Sequence, residues 1–372
     1  MKKNIMFIIG QLRNGGAERV ICNLCNNLKD EYNITLAVRS LKDADKSYIP
    51  DVNIIEVNEL SWWLTTLFGI FKLRKLKKRL KIDTTVSFHL KYNIYNYFSK
   101  YKDKIIFSIR NYESCKLDSY TFFQKFVYKK IIKKANIIVN VSRSVMEDQV
   151  KIYGNNKNIV IPNYIDFKKI DKLKKEDVFI EDNTMLTVGR FVHQKGITHL
   201  INSMKYVNKY NSNIKLLIIG RGPLKEEYKR LIKKLCLEDN IKILDFTDNV
   251  YKYMYNCKLF ILPSLFEGMP NVLLEALGCG CPIIATDCYG GSKEILKDEY
   301  DSNHISDILY SDYGVLVPNF DKNVQKNEKL LADIIIKLFS DKKLYNKYKK
   351  LSIKRSKDFS LDKILDLWRK IL

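Results

Sequence analysis

The 372-residue chain contains no continuous apolar run long enough to cross a bilayer, which argues against a protein built on membrane-spanning helices. Its opening residues, Met1–Gly10, are too short for a signal peptide and lack a small-residue cleavage site, so they read as a first buried parallel strand. The eight cysteines form no disulfide framework. Cys22 and Cys25 make a C-x-x-C inside a helical pattern, with no second pair at metal spacing, and Cys279 and Cys281 flank a glycine at a helix end. Reduced cytosolic thiols account for them. Acidic residues are scarce: 42 Asp and Glu face 65 Lys and Arg, a formal charge of +23. Such an excess suggests an anionic partner, nucleic acid among them. The modules of a nucleic-acid reader are absent, however: no zinc spacing, no aromatic RNA-binding signature and no basic zipper.

What is present is a concentration of charge. The stretch from Ser61 to Lys81 begins with Trp62 and Trp63, continues through Leu64, Phe68 and Phe71, and ends in Lys72, Arg74, Lys75, Lys77, Lys78 and Arg79 without an acid between them. Leu73, Leu76 and Leu80 keep helical spacing. This pattern suggests an interfacial helix, aromatic and apolar on one side and cationic on the other, resting on an anionic membrane surface. Phe122–Lys134 repeats it. The plain alternative is that both helices cover a sheet and hold their lysines in solvent.

Short apolar runs alternate with helical patterns along the whole chain. Strands are expected at 4–9, 34–39, 53–57, 84–88, 104–109, 136–141 and 158–161, then at 184–189, 214–219, 240–244, 258–263, 281–286 and 314–317. Unbroken hydrophobic strands indicate parallel sheets covered on both faces. Two such blocks indicate an α/β protein of two doubly wound, Rossmann-like domains, with the break after Asp166 in the charged stretch that follows.

Three segments fall at the carboxyl ends of strands, where open α/β sheets bind ligands. In Phe266–Ala276, Glu267 stands just ahead of a helix opened by Pro270, and Glu275 lies little more than a turn in. Gly268 and the N–H groups of Met269, Pro270's neighbours Asn271 and Val272, and the first turn offer an anion site between two carboxylates. An anion flanked by polyhydroxy groups describes a sugar nucleotide. In Thr184–Gly196, Gly189 and Arg190 end a strand and Lys195 precedes the next helix, so a guanidinium fork and an ammonium can converge on one diphosphate. After the first strand, Gly15 and Gly16 allow close backbone approach before a helix. His89 follows the strand at 84–88 and either polarises a hydroxyl or touches donor sugar, or is a satisfied structural group. Arg110 and Asn111 end the next strand on the same side.

In this order the segments resemble the retaining family-4 glycosyltransferases of bacterial polysaccharide biosynthesis. Gly15-Gly16-Ala17-Glu18-Arg19, Ile161-Pro162-Asn163-x-Ile165-Asp166, Gly189-Arg190…Lys195-Gly196, Gly220-x-Gly222-Pro223, Glu267-x7-Glu275, Pro282–Asp287 and Tyr313–Pro318 carry the match across nearly the whole chain. Tyr164 and Asp245 stand where the family often has glycine. The resemblance implies a GT-B fold: two facing domains with a cleft between them, an acceptor- and membrane-facing domain at 1–168 joined by a returning C-terminal helix at about 358–372, and a donor domain at 169–357.

The resemblance also implies the chemistry. Arg190 and Lys195 would hold the donor diphosphate, helped by N–H groups around Met269–Val272. Glu267 would contact the transferred sugar, Glu275 the ribose hydroxyls, and Gly15 and Gly16 the diphosphate from the first domain. Arg110 and Asn111 would bind acceptor phosphate. No Asp-x-Asp stands out as a metal site, and neither metal nor cofactor is expected. The donor would be a UDP-linked hexose or N-acetylhexosamine, with UDP-N-acetylgalactosamine favoured by the Gly-Gly-Ala-Glu-Arg start. The acceptor would be a polyprenyl-diphosphate-linked glycan, and the protein would lie on the cytoplasmic face of the plasma membrane. A nucleotide-sugar epimerase of the same architecture and a basic nucleic-acid-binding protein are the competing readings.

Overall fold

The structure is a computed structural model that describes residues 2–12, 15–42, 44–45, 49–57, 64–154 and 157–372. The chain divides into two compact units, Met1–Pro162 with Leu365–Leu372, and Asn163–Ile364.

The first unit is a parallel sheet of β1 (Asn4–Gln11), β2 (Asn33–Ser40), β3 (Asn53–Glu56), β4 (Thr84–Phe88), β5 (Lys104–Ile109), β6 (Ile137–Asn140) and β7 (Asn158–Val160). Their spatial order is β3-β2-β1-β4-β5-β6-β7. Helices α1 (Gly16–Leu28), α2 (Leu64–Arg79), α3 (Leu90–Phe98), α4 (Phe122–Ile132) and α5 (Arg143–Tyr153) make the crossovers. The order reverses between β1 and β4, paired from Ile5 with Thr84 to Ile8 with Ser87. That reversal opens a crevice beyond the strand ends, which is where such sheets take ligands.

The second unit repeats the plan. Its strands are β8 (Thr184–Val188), β9 (Lys215–Ile219), β10 (Ile241–Leu244), β11 (Leu259–Leu262), β12 (Ile283–Thr286), β13 (Leu309–Tyr310) and β14 (Val315–Val317), in the order β10-β9-β8-β11-β12-β14-β13. Its helices are α6 (Phe167–Leu173), α7 (Ile197–Tyr210), α8 (Lys225–Lys234), α9 (Tyr251–Asn256), α10 (Asn271–Gly278), α11 (Ser292–Leu296), α12 (Val324–Ser340) and α13 (Lys342–Ser356). Here the reversal lies between β8 and β11. Every strand expected from the hydrophobic runs is present, β4 and β5 with the expected bounds and the others with an end displaced by one or two residues. Only β13 was not foreseen; it is two residues long, antiparallel to β14, and too short to carry a pattern.

The last helix, α14 (Leu361–Arg369), leads the chain back to the first unit. Trp368 is buried, Arg369 pairs with Glu31 at 2.7 Å, and the carbonyl of Ile371 accepts from Lys104 at 2.9 Å. The Leu372 carbonyl accepts from Lys3 and Thr84. Lys3, Thr84 and Lys104 mark the amino ends of β1, β4 and β5, so the returning segment closes the edge opposite the ligand crevice.

Helix α2 departs from the expected division of faces. Leu73 and Leu76 point into a cluster with Met6, Ile8, Ala37 and Ile82, so the leucine stripe serves the core. Phe68 and Phe71 are instead 69 % and 68 % exposed, on the same side as Lys72, Arg74, Lys75, Lys78 and Arg79. Trp62 and Trp63 lie outside the described residues. Lys77 is a correction to the surface reading. It falls on the buried stripe, one residue after Leu76 and four after Leu73, and its side chain is 0 % exposed. Its ammonium meets Asp103 at 2.8 Å and the Asn96 side-chain oxygen at 2.8 Å, while Thr85 donates to the same Asp103 oxygen. Burial pushes Lys77 down to about 8, against the upward pull of Asp103. Burial alone would raise Asp103; the Lys77 charge and the hydrogen bonds from Lys77, Tyr101 and Thr85 outweigh it and leave it lowered. Lys77 thus ties α2 to the sheet and contributes nothing to a cationic surface. Removing one partner of such a pair strands the other charge, so Lys77→Ala is expected to lower stability by about 3–5 kcal/mol in urea unfolding. A loss well under 1 kcal/mol would show that the pair is dispensable.

Candidate active site

The reversal point of the second sheet sets two loops side by side. The loop after β8 carries Gly189, Arg190 and Lys195; the loop after β11 carries Ser264, Glu267 and Gly268. Lys195 Nζ and Glu267 Oε1 are 2.5 Å apart, and Ser264 Oγ donates to the same oxygen at 2.8 Å. Glu267 is only 7 % exposed. The two loops are also laced through the backbone: Leu265 N–H donates to the Gln194 carbonyl at 2.8 Å, and the Gln194 side chain to the Phe266 carbonyl at 2.8 Å.

Two glycines make this approach possible. Gly196, at φ +60°, lies against the Pro263 carbonyl, and Gly290, at φ +120°, lies against the Glu267 backbone, so a Cβ at either would collide. Arg190 is exposed and makes no side-chain hydrogen bond or ion pair among the described residues. Pro270 is the residue before the helix rather than its first, extended at φ −74°, ψ 110°, and α10 begins at Asn271. Its N-terminus, with Val272 in the first turn, therefore opens directly after Gly268 and Met269. The Met269 carbonyl is held by Asn163 at 3.0 Å. Glu275, half-buried, takes the Tyr251 hydroxyl at 3.4 Å. A cation, a helix N-terminus and two carboxylates thus share one crevice edge.

In the first unit, the ends of β4 and β5 wall a cavity of about 620 Å³ lined by His89, Asn93, Ser108, Arg110, Asn111, Glu113, Lys116, Tyr120 and Tyr128, among others. It brings His89, Arg110 and Asn111 together. His89 adopts φ +72°, ψ 149°, a conformation that costs a non-glycine residue strain and that clusters at functional sites. Burial, then the charges of Lys116 and Arg110, push its imidazole down to about 4, so it stands neutral near pH 7. Arg110 stacks over Phe88 with 5.4 Å to the ring centroid. Gly15 caps the start of α1 at the β1 end, with the Glu18 carboxylate folded back over it and Gly16 exposed beside it.

Two family models match the chain in succession. The family described as glycosyl transferases group 1 matches residues 168–355, and glycosyltransferase family 4 matches residues 14–169. The chain belongs to the family-4 glycosyltransferases, of GT-B fold. An uncharacterized glycosyltransferase of Methanocaldococcus jannaschii is 31 % identical, covering 89 % of each chain. N-acetylgalactosamine-N,N'-diacetylbacillosaminyl-diphospho-undecaprenol 4-alpha-N-acetylgalactosaminyltransferase of Campylobacter jejuni is 30 % identical over 98 % of this chain and 97 % of its own. Among solved structures, Anabaena HepE in complex with UDP superposes with a TM-score of 0.79 at 18 % identity, covering 100 % and 99 % of the two chains, a likeness of fold.

The glycosyltransferase holds groups that its motifs did not single out. Ser264 and Gln194 fix Glu267 and Lys195; both lie inside the matched segments but look like ordinary loop residues. Glu113, Ser108, Lys116 and Tyr120 line the first-unit cavity. Glu113 comes three residues after Arg110, so its place beyond a strand end was readable while its burial was not. Among the described residues, no group of three or more His, Cys, Asp or Glu is arranged to hold a metal ion, and no helix is long and apolar enough to cross a membrane.

Burial pushes Glu113 up to about 7, against the lowering influence of Lys116 and the Tyr120 hydrogen bond and with help from Asp148. The folded enzyme therefore holds this proton over a range where the unfolded chain, at an ordinary carboxyl pKa, has lost it. The stability this confers is full at acid pH and falls as pH rises toward about 7. Glu113→Gln is expected to gain on the wild type as pH rises from about 5 to about 8, by at most roughly 3 kcal/mol. Parallel urea titrations at the two pH values check this, and an unchanged difference would place Glu113 in contact with solvent.

Proposed function

We propose that this enzyme moves a sugar, a hexose or N-acetylhexosamine, from a UDP-linked donor to a polyprenyl-diphosphate-linked glycan, with retention at the anomeric carbon. It would do so on the anionic cytoplasmic face of the plasma membrane, in the building of a cell-surface polysaccharide such as a capsule or O-antigen. The observation that carries this reading is the Lys195–Glu267 pair at the reversal point of the second sheet, beside the N-terminus of α10. The relative from Campylobacter jejuni, named for a diphospho-undecaprenol-linked acceptor and 30 % identical along almost the whole chain, supports the acceptor class and favours N-acetylgalactosamine as the sugar.

In this mechanism Arg190, Lys195 and the first-turn N–H groups of α10 take the donor diphosphate and stabilise the charge that grows on it as the anomeric C–O bond breaks. Lys195 is already oriented by Glu267, so little rearrangement is needed when the diphosphate arrives. Glu275 takes the ribose hydroxyls and Glu267 the hydroxyls of the departing sugar. The acceptor hydroxyl attacks from the face the diphosphate leaves, and its proton passes to the leaving diphosphate oxygen. On the family resemblance His89, held neutral, is assigned to hydrogen-bond the acceptor or the sugar. Protein cations supply the charge that a divalent metal would otherwise supply, so a metal-independent reaction is proposed. Gly15 and Gly16 are assigned to the diphosphate on the resemblance alone.

Membrane contact draws support from two helices. Phe122 and Phe123 at the start of α4 are 86 % and 70 % exposed beside Lys125 and Lys129, as Phe68 and Phe71 are beside the cations of α2. Helix α3 packs against both α2 and α4, so the two lie in one layer of the first unit. Each Lys or Arg near an anionic leaflet adds about 1 kcal/mol of attraction.

UDP is expected to raise the melting temperature of the wild type, and the double change Arg190→Ala with Lys195→Ala is expected to remove most of that shift. UDP-N-acetylgalactosamine with a lipid-linked acceptor is expected to give product that Glu267→Ala does not. Equal UDP stabilisation in the double variant, or full turnover by Glu267→Ala, would overturn the assigned roles. Replacing Lys72, Arg74, Lys75 and Lys78 by Gln is expected to release the enzyme from phosphatidylglycerol vesicles in co-sedimentation, whereas Lys77, being buried, is left out of the set. Undiminished pelleting would remove α2 from the membrane contact.

A further inference from the structure

We propose that the Ser108–Glu113–Tyr120 corner of the first-unit cavity is the subsite that reads the hydroxyl pattern of the acceptor's terminal sugar, with Glu113 as its specificity-determining residue. The inference rests on the transferase reading above and names the part of the acceptor that this cavity takes.

The first argument is an account of hydrogen bonds. Glu113 is 5 % exposed and lines the cavity; Tyr120 hydrogen-bonds its carboxyl, and its Oε2 has no partner among the described residues. Ser108 is 0 % exposed, lines the same cavity, and its hydroxyl likewise has no partner among the described residues. A buried polar atom left without a partner is costly, and native structures keep few of them unless a ligand or water completes them. Two in the wall of one cavity indicate that its working occupant brings hydroxyls.

The second argument is how the corner is held. Ser114, the next residue after Glu113, is fastened by Asp148 of α5, which takes its N–H at 3.0 Å and its hydroxyl. Tyr128 of α4, in the same cavity wall, accepts from Asn93 of α3 at 3.1 Å and packs edge-on against Tyr153 of α5, with centroids 5.1 Å apart. The residue after Glu113 is thus tied to α5, and Tyr128 in the same cavity wall is tied to α3 and α5.

The third argument is charge. Arg110, Lys116 and a neutral His89 share the cavity with Glu113, while Asp148, Tyr120, Tyr128 and Tyr153 surround its carboxyl. A phosphate would be drawn to Arg110 and Lys116 but repelled by an ionised Glu113. A neutral polyhydroxy ring suits both, since its hydroxyls donate to the carboxyl and accept from the cations. The volume of about 620 Å³ lies within the range of small-molecule sites. Because burial keeps Glu113 near its midpoint around neutrality, it can accept from a hydroxyl when ionised and donate to one when protonated.

The test uses saturation-transfer NMR on the full chain with saturating UDP. The probes are the methyl α-glycosides of N-acetylgalactosamine, N-acetylglucosamine, galactose and glucose, with inorganic phosphate as the anionic control. The wild type is expected to bind at least one glycoside with an affinity that changes between about pH 6 and pH 8. In Glu113→Gln that binding is expected to weaken about tenfold or the ranking of glycosides to change, the pH dependence to vanish, and UDP binding to persist. Ser108→Ala and Tyr120→Phe are expected to move the same ranking and carry the comparison if Glu113→Gln does not fold. The same glycosides in the same order for every variant would overturn the proposal. So would a wild type that binds UDP but no glycoside, or one in which phosphate alone occupies the cavity. Failure of UDP itself to bind would remove the transferase reading beneath it.

Discussion

The contact between Lys195 and Glu267 is the constraint on which the second unit's site depends. It spans the one place in the sheet where the strand order reverses, so it joins loops that are far apart in sequence but forced to be neighbours by the fold. Neither group could be left alone: Glu267 is buried, and a carboxylate in that position without a cation or the Ser264 hydroxyl would be expensive. The pairing fixes a cation at the mouth of α10 and a carboxylate behind it before any ligand arrives. Gly196 and Gly290 are consequences of the same demand, since each allows a backbone to come closer than a Cβ would permit.

The first unit uses the equivalent crevice differently. Its reversal point carries glycine at the end of β1, and the neighbouring strands β4 and β5 end in a strained histidine and an arginine. Burial there acts on acid and base in opposite directions. It holds His89 neutral and keeps a proton on Glu113 at pH values where a free carboxyl would have lost it. The cavity thereby sets a neutral imidazole and a carboxyl that keeps its proton up to about pH 7 beside Arg110 and Lys116.

The net charge of +23 is likewise not one feature. On α2 it divides by helical geometry. Lys72, Arg74, Lys75, Lys78 and Arg79 face outward with Phe68 and Phe71, while Lys77 is drawn into the core and neutralised by Asp103. Counting charges along the segment overstates the surface field by that residue. The leucines expected to meet a membrane meet the sheet instead, and the exposed phenylalanines are what remains for an interface.

The strands were legible because a parallel strand buried on both faces must be apolar at every position, which leaves an unbroken run in the sequence. The two-unit plan followed from counting such runs, and the candidate ligand loops were picked out because glycines, cations and carboxylates recur just after the strands, each weak alone and together in the order of a known family. Helical faces were less legible: Lys77 and Lys78 are adjacent and chemically identical, and only the packing of α2 against Asp103 separates them. Pro270 was misplaced by one residue because a proline fits both the last extended position and the first helical one. The burial of Glu113 and Ser108 gave no signal, since burial and the lack of a partner are properties of what surrounds a side chain. The sequence alone determined which segments become strands, which loops follow them and the family they spell. The tertiary structure decided which of those loops meet, because strand order is set by long-range pairing that no local pattern records, and it alone decided which charges are buried, paired or turned toward a ligand.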